Sequence, residues 1–140
     1  MWAYFRRSCF ALGLMVAIAP LGTAIAATDT GKWVSVKTDS ENRTWYVDSG
    51  TIAGKGRYRF FWSYVVASAP FLEAGKMVYG TAYYLSVDCQ EKQFRLRFVR
   101  LLDQNSQTVK EFNYGDGRPL GNITSGSGEE ASFKYVCKKK

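Results

Sequence analysis

Residues 81–89, Thr-Ala-Tyr-Tyr-Leu-Ser-Val-Asp-Cys, constrain this chain more than any other stretch. Aromatic and β-branched side chains at that density fit a buried strand. The stretch ends in Cys89, and Cys137 closes a second run, Phe-Lys-Tyr-Val-Cys, near the C-terminus. If the two pair, the last segment of the chain is tied to the middle of a sheet. Whether they pair depends on the compartment, and the N-terminus bears on that.

Arg6 and Arg7 form a charged n-region, residues 9–18 form an apolar h-region extended by Leu21 and Ile25, and Ala24-Ile25-Ala26 is a small-x-small cleavage site. Pro20 and Gly22 interrupt the apolar run, which is short for a membrane span of ~20 residues. The pattern predicts a cleaved signal peptide over residues 1–26 and a single mature domain over residues 27–140, with no transmembrane segment in the mature chain. Cys9 precedes the apolar run instead of following it, so it is not a lipoprotein anchor. It leaves with the leader. Two cysteines then remain in a small exported domain, an even count that reads as a Cys89–Cys137 disulfide. Closing a loop of that length is worth ~4 kcal/mol in the chain-entropy account.

The mature chain reads as a run of strands followed by one helix. Residues 32–37 and 43–48 carry short alternating patterns around Trp33, Val36, Trp45 and Val47. Residues 57–66 form a third strand with Tyr58, Phe60, Trp62 and Tyr64 on one face and Arg57, Arg59, Phe61, Ser63 and Val65 on the other. Large apolar groups on both faces suggest a central strand, and the aromatic quartet is expected to form core beneath the helix. Residues 67–75, with Pro70, read as a loop. Residues 76–89 form a long fourth strand, with a bend expected at Gly80. Residues 94–102 form a fifth, whose phase breaks over residues 99–102 and suggests a bulge there. Residues 108–114 form a sixth. Ser127 with Glu130 is a capping-box spacing, so a helix starts there and runs to Cys137. The expected class is α+β: an antiparallel meander of about six strands, with a C-terminal helix packed on it and tethered by the disulfide.

Most catalytic chemistry lacks its usual groups here. The chain has no histidine, which removes the common general base and the commonest metal ligand. Two paired cysteines leave no thiolate site for zinc. No run of alternating Asp and Asn makes a calcium loop, and Gly54-x-Gly56 lacks the third glycine and the following helix of a phosphate loop. Asp48 and Asp88, at strand ends, fit turn-capping far better than an acid–base pair. No catalytic residue, metal or cofactor is expected.

One constellation carries some content. Arg57 and Arg59 share a face of the third strand, and Arg95 and Arg97 share a face of the fifth. In a meander both strands border the fourth. With Lys92, Arg100 and the tail 138–140 they make a candidate binding surface for acidic polysaccharide or a host protein. The formal charge of +7 loses two with the leader and is then ordinary for a soluble domain. Solvated charges that keep a sheet soluble therefore remain the weightier reading of the same residues. No RNA-binding signature is present, and no nucleic-acid partner is expected.

Trp33, then Trp45-Tyr46-Val47-Asp48-x-x-Thr51-Ile52, Trp62, and Tyr83-Tyr84-Leu85-Ser86-Val87-Asp88-Cys89 follow one another along the chain. Phe94-Arg95-Leu96-Arg97, the Ser127-x-x-Glu130 helix start and Tyr135-Val136-Cys137 complete the series. This order resembles the bacterial surface-adhesin protein E family over nearly all of the mature chain. The resemblance implies a small sheet with a disulfide-tethered helix, exposure at or beyond the outer membrane, and binding of host extracellular-matrix or serum proteins. The expectation is thus an exported, non-enzymatic binding module of the adhesin type, in the periplasm or at the cell surface. The alternative is a periplasmic structural or accessory protein. A carboxylate enzyme is a distant third. Oligomeric state is not legible. The exported protein is expected to begin at Ala27; an intact mass that retains residues 1–26 would overturn both the cleavage site and the compartment.

Overall fold

The computed structural model describes residues 30–54 and 56–138. The expected signal peptide over residues 1–26, residues 27–29, Lys55, Lys139 and Lys140 lie outside the described residues. The chain forms β1 (Trp33–Thr38), β2 (Thr44–Asp48), β3 (Tyr58–Glu73), β4 (Lys76–Asp88), β5 (Gln93–Leu102), β6 (Thr108–Asn113), β7 (Gly121–Asn122) and α1 (Gly128–Lys138). Strands β1 to β6 lie side by side in chain order, every pair antiparallel. The short β7 pairs with the start of β5, at Gln93 and Phe94, beyond the reach of β6. This is the α+β meander with a C-terminal helix that the strand run and capping box predict.

Two features, one loop and one bulge, differ from expectation. Residues 67–73, expected as loop, continue β3 as strand, and β3 resumes its pairing with β4 at Phe71 after an irregularity that absorbs Pro70. The hairpin closes through Ala74 and Gly75 alone, both at positive φ, as a tight two-residue connection requires. At Gly80 β4 does not end or break. The glycine is needed for space: a Cβ there would lie 2.0 Å from the Tyr64 hydroxyl. The β5 bulge falls earlier than expected. Tyr84 pairs with Phe98 and Leu85 with Leu96, so Arg97 is the extra residue.

The helix covers the opposite face of β3 from the one expected. Its buried Phe133 and Val136 pack with Val47, Phe61, Leu85 and Val87. Phe60, Trp62 and Tyr64 point the other way. Period two separates two faces but does not say which one a helix will cover, and both faces of β3 are apolar. Trp62 is nonetheless almost completely buried. It is covered by its own sheet: Tyr84 at 5.4 Å, the edge of Phe98 at 5.8 Å, and the Arg100 guanidinium at 5.2 Å. Tyr58, at the strand end, is half exposed.

The helix is seated at both ends. At its start the Ser127 Oγ accepts the Glu130 N–H at 3.1 Å. The Glu130 carboxylate accepts the Gly126 N–H at 2.7 Å, so the cap reaches one residue further back than the simple box. Gly128 then lies flat on the Trp45 indole, where an added Cβ would come within 2.0 Å of the ring. The indole is itself held, because Trp45 Nε1 donates to Asp39 at 3.0 Å. At the far end Cys137 is bonded to Cys89, with Cα atoms 5.7 Å apart and a sequence separation of 48. An eleven-residue helix is marginal alone in water, so these two attachments and the Phe133–Val136 face hold it.

Loss of either attachment is expected to release the helix and not the sheet. Cys137→Ala should expose the amides of α1 to hydrogen exchange and uncover Phe61, Leu85 and Val87, with a stability loss of ~2–4 kcal/mol in urea. Gly128→Ala should do the same more weakly, by lifting the first turn off Trp45. Unchanged α1 protection in both variants would remove the tether from this account.

Candidate binding surface

The face of the sheet opposite α1 is open. Register places Phe60, Ser86 and Arg95 level across β3, β4 and β5, then Trp62, Tyr84 and Phe98, then Tyr64, Ala82 and Arg100. Arg97 joins them by alternation with Arg95, and the bulge after it brings Phe98 to the same side: the Arg97 Nε donates to the Ser86 hydroxyl at 2.8 Å and its guanidinium lies 5.0 Å from the Phe60 ring. Toward β1, Tyr64 meets Trp33 at 5.8 Å and Tyr46 at 6.2 Å, all tilted. The result is a band of aromatic rings crossed by arginines.

At the Arg100 end the band deepens into a cavity of about 430 Å³. Trp33 of β1 and Thr108 of β6 both line it, with Tyr46, Tyr64, Arg100 and Ser106. Residues from the two outermost strands reach one recess only because the sheet curls strongly toward this face.

Three of the four arginines singled out in the sequence reach this face, and the fourth does not. Arg95 and Arg97 point onto it, and Arg57 bends to it to bond Asp88 through Nε at 2.7 Å and through Nη2. Arg59 sits level with Val87 on the helix side and folds back onto the carbonyls of Gly56 and Tyr58 at 2.7 and 2.9 Å. The face also carries its own counter-charges. Asp116, itself 77% exposed, takes Arg97 at 2.7 Å and Arg95 at 3.5 Å. Glu91 stands 3.8 Å from Arg57. Arg100 is paired with Glu111 at 2.8 Å. Only β5 alternation was readable in advance; Asp116, in the loop after β6, carried no sequence signal tying it to the arginines.

The carboxylates respond as such pairing requires. The hydrogen bond from Arg97 and the charges of Arg97 and Arg95 hold the Asp116 carboxyl below its ordinary range. Partial desolvation pushes Asp88 up, but hydrogen bonds from Arg57, Glu91 and Gln90 outweigh it and hold it low as well. Both groups are charged at neutral pH. Asp48 and Asp88 cap turns: Asp48 accepts Gly50 N–H at 3.0 Å and the Thr30 hydroxyl at 2.6 Å, and Asp88 accepts Gln90 N–H and Glu91 N–H at 3.0 and 3.1 Å. Among the described residues no cluster of three or more acidic or cysteine side chains is arranged to hold a metal, and none of the described helices is long and apolar enough to cross a membrane.

The described chain is a curled meander with one face sealed by a tethered helix and the other left open. The chain belongs to the surface-adhesin protein E family, which it matches over residues 33–138. Its fold is similar to Haemophilus influenzae protein E, with a TM-score of 0.57 and 11% identity over 81% of this chain and 89% of that one. A selenomethionine form of that protein gives 0.59 at 11% identity over 82% and 92%. Protein E from non-typeable Haemophilus influenzae gives 0.55 at 12% over 81% of both chains. No curated protein matches the sequence itself. At these identities the structural likeness establishes the fold, while family membership supports an adhesin-like role for an exported or surface-exposed chain.

Asp116 competes with any anionic ligand for Arg95 and Arg97. Its depressed pKa means that this ion pair is complete above the ordinary carboxylate range and is lost only as pH falls through the lower, folded value. Retention on immobilised heparin should therefore hold steady from neutral pH down to about pH 5. Asp116→Asn should elute at higher salt than the parent at neutral pH, since it frees both guanidinium groups. Equal elution of the two proteins would mean that these arginines do not meet the ligand.

Proposed function

We propose that this chain is an exported, non-enzymatic binding module that contacts host extracellular-matrix or serum proteins, or anionic polysaccharide, through the sheet face opposite α1. The observation that supports it best is the open aromatic band with Arg57, Arg95 and Arg97 at one end, in a member of a surface-adhesin family. Aromatic and arginine side chains are the residues that dominate contact surfaces, because each offers a large rigid area with a directional polar end. The helix side offers little of this, because its apolar groups are spent on Phe133 and Val136 and Arg59 is turned back on its own backbone.

A second reading is a periplasmic accessory role. It draws on the ion pairing of the same arginines, which leaves the face nearly balanced in charge. Protease shaving of intact cells with fractionation separates the two. The adhesin reading expects the protein to be cleaved from outside and to lose heparin retention in the Arg95→Gln/Arg97→Gln variant with its disulfide and sheet intact. Protection from external protease would leave only the periplasmic reading.

A further inference from the structure

The cavity at the Arg100 end of the open face is built, not left over. Tyr64 lies across β4 because position 80 is glycine, since any Cβ there would collide with the phenol. Trp33 and Tyr46 then lean on Tyr64 from β1 and β2. The tight turn after β5 is held by Asp103, whose carboxylate accepts Asn105 N–H at 2.8 Å and Gln107 N–H at 2.9 Å. That turn carries Ser106 at positive φ to the cavity wall. The volume, about 430 Å³, falls in the range of small-molecule sites, about 300–1,000 Å³.

The lining chemistry narrows the ligand. Three aromatic rings and the aliphatic Val66, Ala82 and Leu102 supply apolar surface, while Tyr46, Tyr64, Ser106 and Thr108 bring four hydroxyls to the lining residues. Burial, with Tyr46 beside it, raises the pKa of the Tyr64 phenol, so its hydroxyl stays available to donate as well as accept. A purely apolar ring or an acyl chain would strip water from those hydroxyls without replacing the bonds. A phosphate would need uncompensated positive charge, and the guanidinium in the wall, Arg100, is bonded to Glu111 and stacked near Trp62 and Phe98. A sugar ring meets both requirements: its C–H face lies on an aromatic ring, and its hydroxyls donate and accept in turn.

We propose that this cavity is a saccharide subsite in which Trp33 and Tyr64 stack a pyranose ring and Tyr46, Ser106 and Thr108 bond its hydroxyls. The inference rests on the reading of the open face as the contact face. The cavity and the arginines mark opposite ends of that face, with Arg100 in the cavity wall about 10 Å from Arg97 and about 17 Å from Arg95 along β5. A saccharide chain seated in the cavity is thereby aimed at Arg97 and Arg95, and the subsite reads the ring while the arginines read any acidic substituent.

Saturation-transfer NMR on the mature protein tests it, with glucose, N-acetylglucosamine and glucuronic acid as probes and cyclohexanol as the apolar control. Transfer to at least one sugar is expected, and none to cyclohexanol. Its apparent Kd should rise about tenfold in Trp33→Ala through the lost stacking surface. Thr108→Val, nearly the same shape, should weaken it in the same direction without disturbing the fold. Arg95→Gln/Arg97→Gln should leave glucose and N-acetylglucosamine unaffected. No transfer to any of the sugars, equal transfer in Thr108→Val, or stronger binding of cyclohexanol overturns the proposal. If sugar transfer persists while heparin retention and surface exposure are both absent, the subsite stands and the adhesin reading falls.

Discussion

The attachment of α1 to the sheet is the constraint on which the rest of this structure depends. A meander has two faces, and one of them must be sealed if the other is to meet water and ligand. Here the seal is an eleven-residue helix, too short to persist without help. The disulfide at one end and the contact of Gly128 on Trp45 at the other confine it. Between them Phe133 and Val136 fill the space over Phe61, Leu85 and Val87. The Trp45 contact continues outward, since the indole N–H is fixed by Asp39, which also accepts Arg43 N–H and Arg43 Nε at the turn between β1 and β2. A polar turn thus positions the surface on which the helix rests.

The open face solves a different problem. Trp62 is as deeply buried as any core residue, yet no helix covers it. Curl of the sheet and the rings of Tyr84 and Phe98 enclose it, and Arg100 closes the remaining side with its planar guanidinium. Arg97 does the same for Phe60. These arginines therefore act first as lids over aromatic rings, a role that suits a charged side chain with a flat, weakly hydrated head. Their outward edges are what a partner meets.

Local chemistry was legible in the sequence, and pairing across the sheet was not. The cysteine count in an exported domain, the Ser127–Glu130 cap and the alternation along β5 each involve few residues close in the chain or a simple parity, and each describes the fold correctly. The choice of face did not follow from alternation, because Phe61 on one side and Phe60 and Trp62 on the other are equally apolar. Gly128 falls within the helix start that Ser127 and Glu130 mark and carries no signal of its own there, yet its lack of a side chain is what lets the helix touch Trp45. At Gly80, where a bend is expected, the β3–β4 register shifts, but the room the glycine makes for a distant Tyr64 has no signature in one dimension. Of the candidate site, three arginines were found and their counter-ions were not, since Asp116 approaches them only through the loop between β6 and β7.

The bulge at Arg97 has a consequence for how such a chain can diverge. Before it, β5 sends Phe94 and Leu96 toward the helix; after it, Phe98 goes to the other side while Val99 and Leu101 return to the first. A single inserted residue shifts the parity of the strand, so that Arg97 and Phe98 both serve the open face and the helix-side series resumes at Val99; the two faces keep separate interiors. The sheet is the partition between them, so a substitution on the ligand side reaches the helix only through the backbone. Outward residues can therefore be exchanged with little effect on the helix side, provided the parity, the glycines that give clearance and the sulfur tether stay.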